Sequence, residues 1–442
     1  MNEIISKTDN RRIFKTIVTL SLPTVVEQGL QTIVSYIDTA MVGQISADAS
    51  AAVGLTLTVG WLVNAPLFAM GVGFLSYIAR QMGAGHYENI KKAGNQAVIM
   101  TLFIGALLGI ITGIVSPFLP VWLGAEPNIR KITSWYFFIT TFPMIFRASS
   151  IILASVLRAV YDTKTPMKIN LLMNIINIVF NFILIRYIGI YGAAISTALS
   201  YIVGGILMYI VFCKNPYISS TSSRVSYDRH VMNECIKTGL PIALERSASC
   251  LGHVVFTGLV SNLGTISIAA HSIALTAEEA FYIPGYGMQT AASTLAGNAY
   301  GENNKKKLIK TSAITAAIAI TIISTLSIFL YLFPDYMMSL FSNDARVIEK
   351  GSEVLKLVAM SEPAFALFII LEGVANGIGD TKFTFIDSTL SMWGIRIVST
   401  FICINILGLG LKTVWMCMIA DNLFKCITFF TRFIYIITKK LK

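Results

Sequence analysis

Charge is scarce in this chain. Asp, Glu, Lys and Arg make up only 13% of the 442 residues, against 55% hydrophobic ones. With a mean hydropathy of +0.70, that excludes a soluble globular protein, whose surface needs a far larger charged share. Histidine numbers four, and His253 and His271 are too isolated to argue a metal site. The six cysteines, Cys213, Cys235, Cys250, Cys403, Cys417 and Cys426, lie in or beside apolar runs with no CxxC and no Cys/His cluster. They read as reduced core residues rather than disulfides or metal ligands. P-loop, HExxH and nucleophile-elbow patterns are absent too, so no nucleophile, metal or cofactor constellation argues for an enzyme.

What the chain does have is long apolar runs. Stretches of about twenty residues, enough to cross a bilayer, fall near 15–41, 50–78, 93–117, 132–156, 166–187 and 190–213, and again near 234–260, 267–292, 309–333, 352–376, 384–407 and 411–437. The first is too long for a signal peptide and lacks a small-residue cleavage site, so a retained span is expected. The reading is an all-α polytopic membrane protein with twelve transmembrane helices. The net charge of +11 would suggest nucleic acid in a soluble protein, but no base-stacking or groove-reading motif accompanies it. The cations are distributed by topology instead. Lys7, Lys91, Lys92, Arg158, Lys164, Arg224, Lys305, Lys440 and Lys442 belong to segments on one side, while the opposite loops hold only Arg130, Lys131, Arg186, Arg346, Lys350 and Lys412. Both termini are therefore expected in the cytoplasm, with the protein multi-pass in the plasma (inner) membrane.

The chain also repeats itself. A shift of 218 positions lays Leu22–Leu57 on Leu240–Leu275, pairing Pro23 with Pro241 and Glu27 with Glu245, and later pairs Pro66 with Pro284 and Asp162-Thr163-Lys164 with Asp380-Thr381-Lys382. Two homologous six-helix bundles follow: residues 1–213, a polar linker at 214–232, and residues 233–442. Six spans per half make the repeats parallel, related by a pseudo-twofold axis along the membrane normal, with a cleft between them expected.

Carboxylates inside such helices mark function. A charge near the bilayer centre costs roughly 2.5–3.5 kcal/mol on insertion scales, so it normally faces a cavity, a partner or an ion path. Glu27 and Asp38 lie eleven residues apart, about three turns, on one face of the first span. Asp38 has no Lys or Arg one turn away, which makes it the leading candidate; a helix that ended early would instead leave it wetted at an outer mouth. In the fifth span Asn170, Asn174, Asn177 and Asn181 form one polar stripe, suited either to coordinating a desolvated cation or to bonding helices together. The second half carries Glu245, Glu278, Glu279, Glu362, Glu372, Asp387 and Asp421, with Arg246, Arg396 and Lys425 available to neutralise some of them. As a group these acids suggest a lumen attractive to cations. Pro66 and Pro284 are bend candidates, and Tyr36, Met70, Phe68, Tyr282, Tyr286 and Met288 could line an adaptable apolar site or serve as plain core.

Together, Pro23, Asp38-Thr39, Val42-Gly43 and Ala51-Ala52, then GAGHYENIKKA and DTKTPM, with AAHSIA, IPGYG, LAGNAYGENNKKK and GIGDTK in the second half, resemble the multidrug and toxic compound extrusion (MATE) family. The likeness covers all twelve spans. It implies two bundles forming a V-shaped cleft, and export of small cationic amphiphilic compounds by a monomer in the lipid bilayer, with antibiotic resistance as a consequence. No cofactor is implied beyond Na⁺ or H⁺ as coupling ion. The family's first-half cation site falls on Asp38, Asn177, Asn181 and Thr197, with Na⁺ at Asp38 in a sodium-coupled case. The family's second-half glutamate position is Ser249 here, which leaves Glu245, Glu278 and Glu372 as substitute candidates. Glu27, Tyr36, Met70, Tyr282 and Met288 are the expected substrate-cleft residues. The rival reading is a lipid-linked precursor flippase of the same superfamily, which would need a cationic lumen for pyrophosphate and typically two further helices.

Overall fold

A computed structural model describes residues 10–218 and 226–439. Lys7, Arg224, Lys440, Lys442 and the middle of the linker lie outside the described residues. Among those described, the chain is helical with no strand. The helices are α1 (Asn10–Gly43), α2 (Ala47–Gly83), α3 (Tyr87–Val115), α4 (Pro127–Thr141), α5 (Met144–Ala159), α6 (Lys164–Ile188) and α7 (Ile190–Lys214). The second half follows with α8 (Arg229–Ser261), α9 (Thr265–Gly301), α10 (Lys305–Leu332), α11 (Ala345–Ala359), α12 (Glu362–Ile378), α13 (Thr381–Ile406) and α14 (Leu411–Lys439).

Eight of these are long and apolar enough to cross a membrane, ten when each bent pair counts as one. The remaining two, α8 and α9, have the length; their carboxylates and Arg246 dilute the apolar signal. One helical segment therefore matches each of the twelve expected spans.

The repeat is visible in the element boundaries. Moved by the sequence offset, α2 falls on α9 end to end, and α4 falls on α11. Two twin positions share a left-handed backbone, Gly85 (φ 74°) with Asn303 (φ 53°) and Tyr161 (φ 68°) with Gly379 (φ 86°), a conformation that ends a helix and sends the chain back. The expected single spans at 132–156 and 352–376 are instead broken. The first bends by 52° between α4 and α5, the second by 58° between α11 and α12. Pro143 stands at the first break and Pro363 enters the helix after the second, since a proline ring removes a backbone donor and clashes with the preceding turn. By contrast α2 and α9 run on through Pro66 and Pro284.

Packing divides the chain into two compact units, Val26–Ala243 and Met1–Val25 with Leu244–Lys442. The divisions fall inside α1 and α8, two residues after Pro23 and Pro241, and they are separated by the repeat offset.

Within Val26–Ala243 the core joins Leu67, Phe74 and Ile78 of α2 to Met144, Ile152 and Leu157 of α5 and to Cys235. Gly73 makes the α2 contact with α8 tight: a Cβ there would stand 2.6 Å from the Cys235 carbonyl oxygen and 3.1 Å from the Gly239 nitrogen. Gly73→Ala is therefore expected to force the two backbones apart, at about 1–3 kcal/mol, read as a lower melting temperature of the purified protein. Outside the spans, Asp228 opens α8 by accepting the backbone N–H groups of His230 and Val231 at 3.0 and 3.1 Å. The Val231 bond first, and Lys92 nearby, hold its carboxyl below the usual range.

In the other unit, Thr24 donates to the Gly287 carbonyl at 2.7 Å, and Phe256, Val354, Leu355, Val414 and Trp415 form the core. Large apolar side chains such as Phe103, Ile110, Ile114 and Phe182 point outward, as lipid-facing positions require.

Candidate functional site

The unit Val26–Ala243 encloses a cavity of about 510 Å³. It is lined by α1, α2, α4, α5, α6 and α7, including Glu27, Asp38, Asn64, Tyr136, Arg147, Arg158, the four stripe asparagines, Thr197 and Tyr201.

Two polar contacts clamp α1 to α6, and both span the same sequence separation. Asn170 Nδ2 donates to Glu27 Oε1 at 2.5 Å, and Asn181 Nδ2 donates to Asp38 Oδ1 at 2.5 Å. Each pair is 143 residues apart, so the two helices run parallel in constant register over the three turns between the acids. That register is why Glu27, Asp38 and the asparagine stripe converge on one cavity.

The two acids differ in what surrounds them. Glu27, 5% exposed, is bound by Arg158 Nη2 at 2.6 Å. Arg158, expected among the loop cations, is thus drawn inward to a carboxylate. Asp38 has no Lys or Arg within ion-pair distance among the described residues. Its helix continues to Gly43, so it is not at a frayed end.

Around Asp38 stand amides and a hydroxyl. The Asn177 amide satisfies its surroundings with its nitrogen 2.8 Å from Asp38 Oδ1 and its oxygen accepting from the Thr197 hydroxyl at 3.2 Å. Asn181, 1% exposed, leaves its Oδ1 without a hydrogen-bond donor. The cluster thus carries a carboxylate, two amide oxygens and a hydroxyl, the donor types hard cations prefer, with both amide nitrogens turned to the carboxylate.

Asn170 is a test of the other end. Asn170→Ala would remove a hydrogen bond to a charged, buried acceptor and is expected to cost about 1.5–3 kcal/mol, measured by thermal unfolding, with less effect on the Asp38 end.

The remaining expected residues are placed as follows. Met70 is core, 7% exposed, and Tyr36 is 41% exposed; neither lines this cavity. Tyr282 and Met288 belong to the other unit, where Tyr282 packs edge-on against Tyr286 and Phe365 at 5.5 and 5.4 Å and Met288 is 1% exposed. There, Glu245 accepts from Ser249 at 3.0 Å, and Glu372 accepts from Gln289 at 2.8 Å. The Glu278 and Glu362 carboxyls are buried against each other. The repeat twins of Asp38 and Thr197 are Phe256 and Trp415, which sandwich His271 with centroids at 5.5 and 5.9 Å. Among the described residues the Asp38 and Thr197 side chains thus have no polar twins in the other unit. Sequence reasoning missed Arg147, which lines the cavity but sits in an apolar run where its direction could not be read.

Parallel helices of spanning length, around a polar cavity with uncompensated charge, define a membrane transporter rather than an enzyme. The MatE family model matches residues 23–183 and 241–402, and the chain belongs to that family of transporters. It is 27% identical to the probable multidrug resistance protein NorM of Thermotoga maritima over 420 residues, covering 93% of this chain and 90% of that one. It is 25% identical to the probable NorM of Geobacillus kaustophilus, covering 87% and 86%. Among solved structures, an outward-facing multidrug resistance MATE family transporter of the MOP superfamily superposes with TM-score 0.92 at 24% identity, covering 97% of each chain. A MOP superfamily transporter from Pyrococcus furiosus, described as having a binding pocket of reverse polarity that suggests a different function, superposes with TM-score 0.90 at 25% identity and the same coverage.

Proposed function

We propose that this protein is a Na⁺- or H⁺-coupled antiporter that exports small cationic amphiphilic compounds by alternating access. It would act as a monomer in the plasma membrane with both termini in the cytoplasm. The observation that supports the reading most is Asp38: a half-buried carboxylate with no basic partner among the described residues, beside an amide oxygen that has no donor. A charge in that setting favours whatever state keeps it wet or occupied by a cation, and an ion that binds it removes the penalty. An organic cation and the coupling ion then compete for one anion, which is the minimum requirement for exchange. Driving force is adequate: one elementary charge moved through 100 mV is worth about 2.3 kcal/mol, a population shift of more than tenfold. The names of the relatives, multidrug resistance proteins among them, support the drug-export part of the reading.

Ethidium movement in everted vesicles, with imposed Na⁺ or proton gradients, tests this. Accumulation driven by one of the gradients is expected, and movement indifferent to both would overturn the proposal.

A further inference from the structure

We propose that Cys403 and Cys417 close into a reversible disulfide when a peroxide reaches them, stapling the end of α13 to the start of α14. Their Sγ atoms stand 3.8 Å apart across a separation of 14 residues, and both are free thiols. The inference is independent of the export reading and concerns the other unit of the chain, Leu244–Lys442.

Packing does not ask for sulfur at these places. The repeat twins of the two cysteines are Ile185 and Leu199, so the first half fills the matching positions with aliphatic side chains. A thiol is a small apolar filler as well, but two thiols in contact add a chemistry that Ile and Leu lack.

The pair is asymmetric, and the asymmetry assigns the roles. Cys417 is 7% exposed and is flanked along α14 by the core residues Val414, Trp415 and Met418. Cys403 is half-buried and stands on the π-helical stretch Ile402–Ile406, just before the connection to α14. The Leu409 N–H, in that connection, donates to the Cys403 carbonyl at 2.8 Å. Bond formation needs the two sulfurs to close to about 2 Å. A wide turn at a helix end yields more readily than a packed helix interior, so Cys403 is the side that moves.

Cys403 is also the side that reacts first. Hydrogen peroxide is small and neutral enough to enter at a half-buried sulfur, where a bulky charged disulfide is excluded. The Cys403 sulfur attacks one peroxide oxygen, the O–O bond breaks, and a sulfenic acid forms as the first water leaves. The Cys417 sulfur then attacks the Cys403 sulfur; the S–O bond breaks, and the oxygen departs with the Cys417 proton as the second water. Two thiols and one peroxide thus give one disulfide and two waters. With the termini in the cytoplasm, as proposed above, this connection faces outward, away from the glutathione that keeps cytosolic thiols reduced. The chemistry itself needs only the 3.8 Å contact.

The test treats the purified full-length protein in detergent with hydrogen peroxide, then denatures, alkylates and digests it with trypsin, which cuts after Arg396, Lys412 and Lys425. Peptides 397–412 and 413–425 should appear as one linked species that dithiothreitol separates, while Cys235, 0% exposed in the unit Val26–Ala243, keeps its thiol. In Cys417→Ala the Cys403 sulfenic acid should persist and be trapped by dimedone; in Cys403→Ala the Cys417 thiol should survive the peroxide. Amide hydrogen exchange across residues 407–410 should be slower in the linked form than in the reduced one. Unlinked peptides after peroxide, a dimedone adduct on Cys417 in Cys403→Ala, or equal exchange in the two forms overturns the proposal. Should either variant fail to fold, the wild-type peptide map and exchange still decide.

Discussion

Asp38→Asn is expected to insert and fold as the parent does and to lose gradient-driven ethidium efflux by about a hundredfold or more, the loss of a charge-assisted contact at its upper range. Asparagine occupies the same space, and its side-chain oxygen can still accept from Asn181, which donates to Asp38 Oδ1 in the parent. Packing between α1 and α6 is therefore preserved. What disappears is the charge, and with it the energetic difference between an ion-loaded and an ion-free cavity. The measurement is the initial rate in proteoliposomes under a fixed Na⁺ or proton gradient, normalised to inserted protein. Coupling, not ethidium binding, is the diagnostic readout. Ion-dependent efflux at the parental rate would remove Asp38 from the mechanism. No comparable loss of coupling is expected from Asn170→Ala, because Glu27 keeps Arg158 as its counter-ion.

Much of the architecture is legible in the sequence because hydrocarbon imposes strict rules. Twenty-residue apolar runs, the 218-residue repeat and the cost of Asp38 are all consequences of the solvent, and each reappears in the structure: matched helices, twin left-handed turns at Gly85 and Asn303, and an Asp38 left without a basic partner. The asparagine stripe was visible as a stripe, but what it faces was not, since the 143-residue register between α1 and α6 is a tertiary property. Arg158 illustrates a different limit. Its place beside DTKTPM reads as loop, yet its long side chain reaches back to Glu27, as flexible cationic stems can. Nor do bends follow from proline alone: α2 passes through Pro66 while the α4–α5 span breaks at Pro143. Met70, an expected cleft residue, is core instead, because helical periodicity names a face without naming its neighbour. The π-helical stretches of α13, Ser391–Ile397 and Ile402–Ile406, leave no mark in apolar periodicity or turn residues.

One of those stretches organises the most buried charge among the described residues, and removing that charge is expected to have a large effect on stability. Asp421 of α14 is 0% exposed. Its Oδ2 is bound by Arg396 Nη2 at 2.6 Å and by Lys425 Nζ at 3.1 Å, and the Ser391 hydroxyl donates to its Oδ1. Ser391 and Arg396 are five residues apart on the π-helical turn, the spacing at which that wider helix brings two side chains onto one face. An ordinary α-helical turn would point one of them away. Arg396 also donates to Asn422 Oδ1 at 3.0 Å, so the cluster ties α13 to α14 through two cations and one anion. Asp421→Leu leaves Arg396 and Lys425 buried, adjacent and mutually repulsive, and should cost about 3–5 kcal/mol, the range for breaking a buried ion pair from one side. The check is a thermal scan of purified protein with a reversal built in. Asp421→Leu combined with Arg396→Met and Lys425→Met removes all three charges, and it should recover most of the loss, because an apolar cluster of similar volume needs no counter-ion. If the triple variant were no more stable than Asp421→Leu, the stranded cations would not be the cause, and the role of Asp421 would reduce to its hydrogen bond with Ser391.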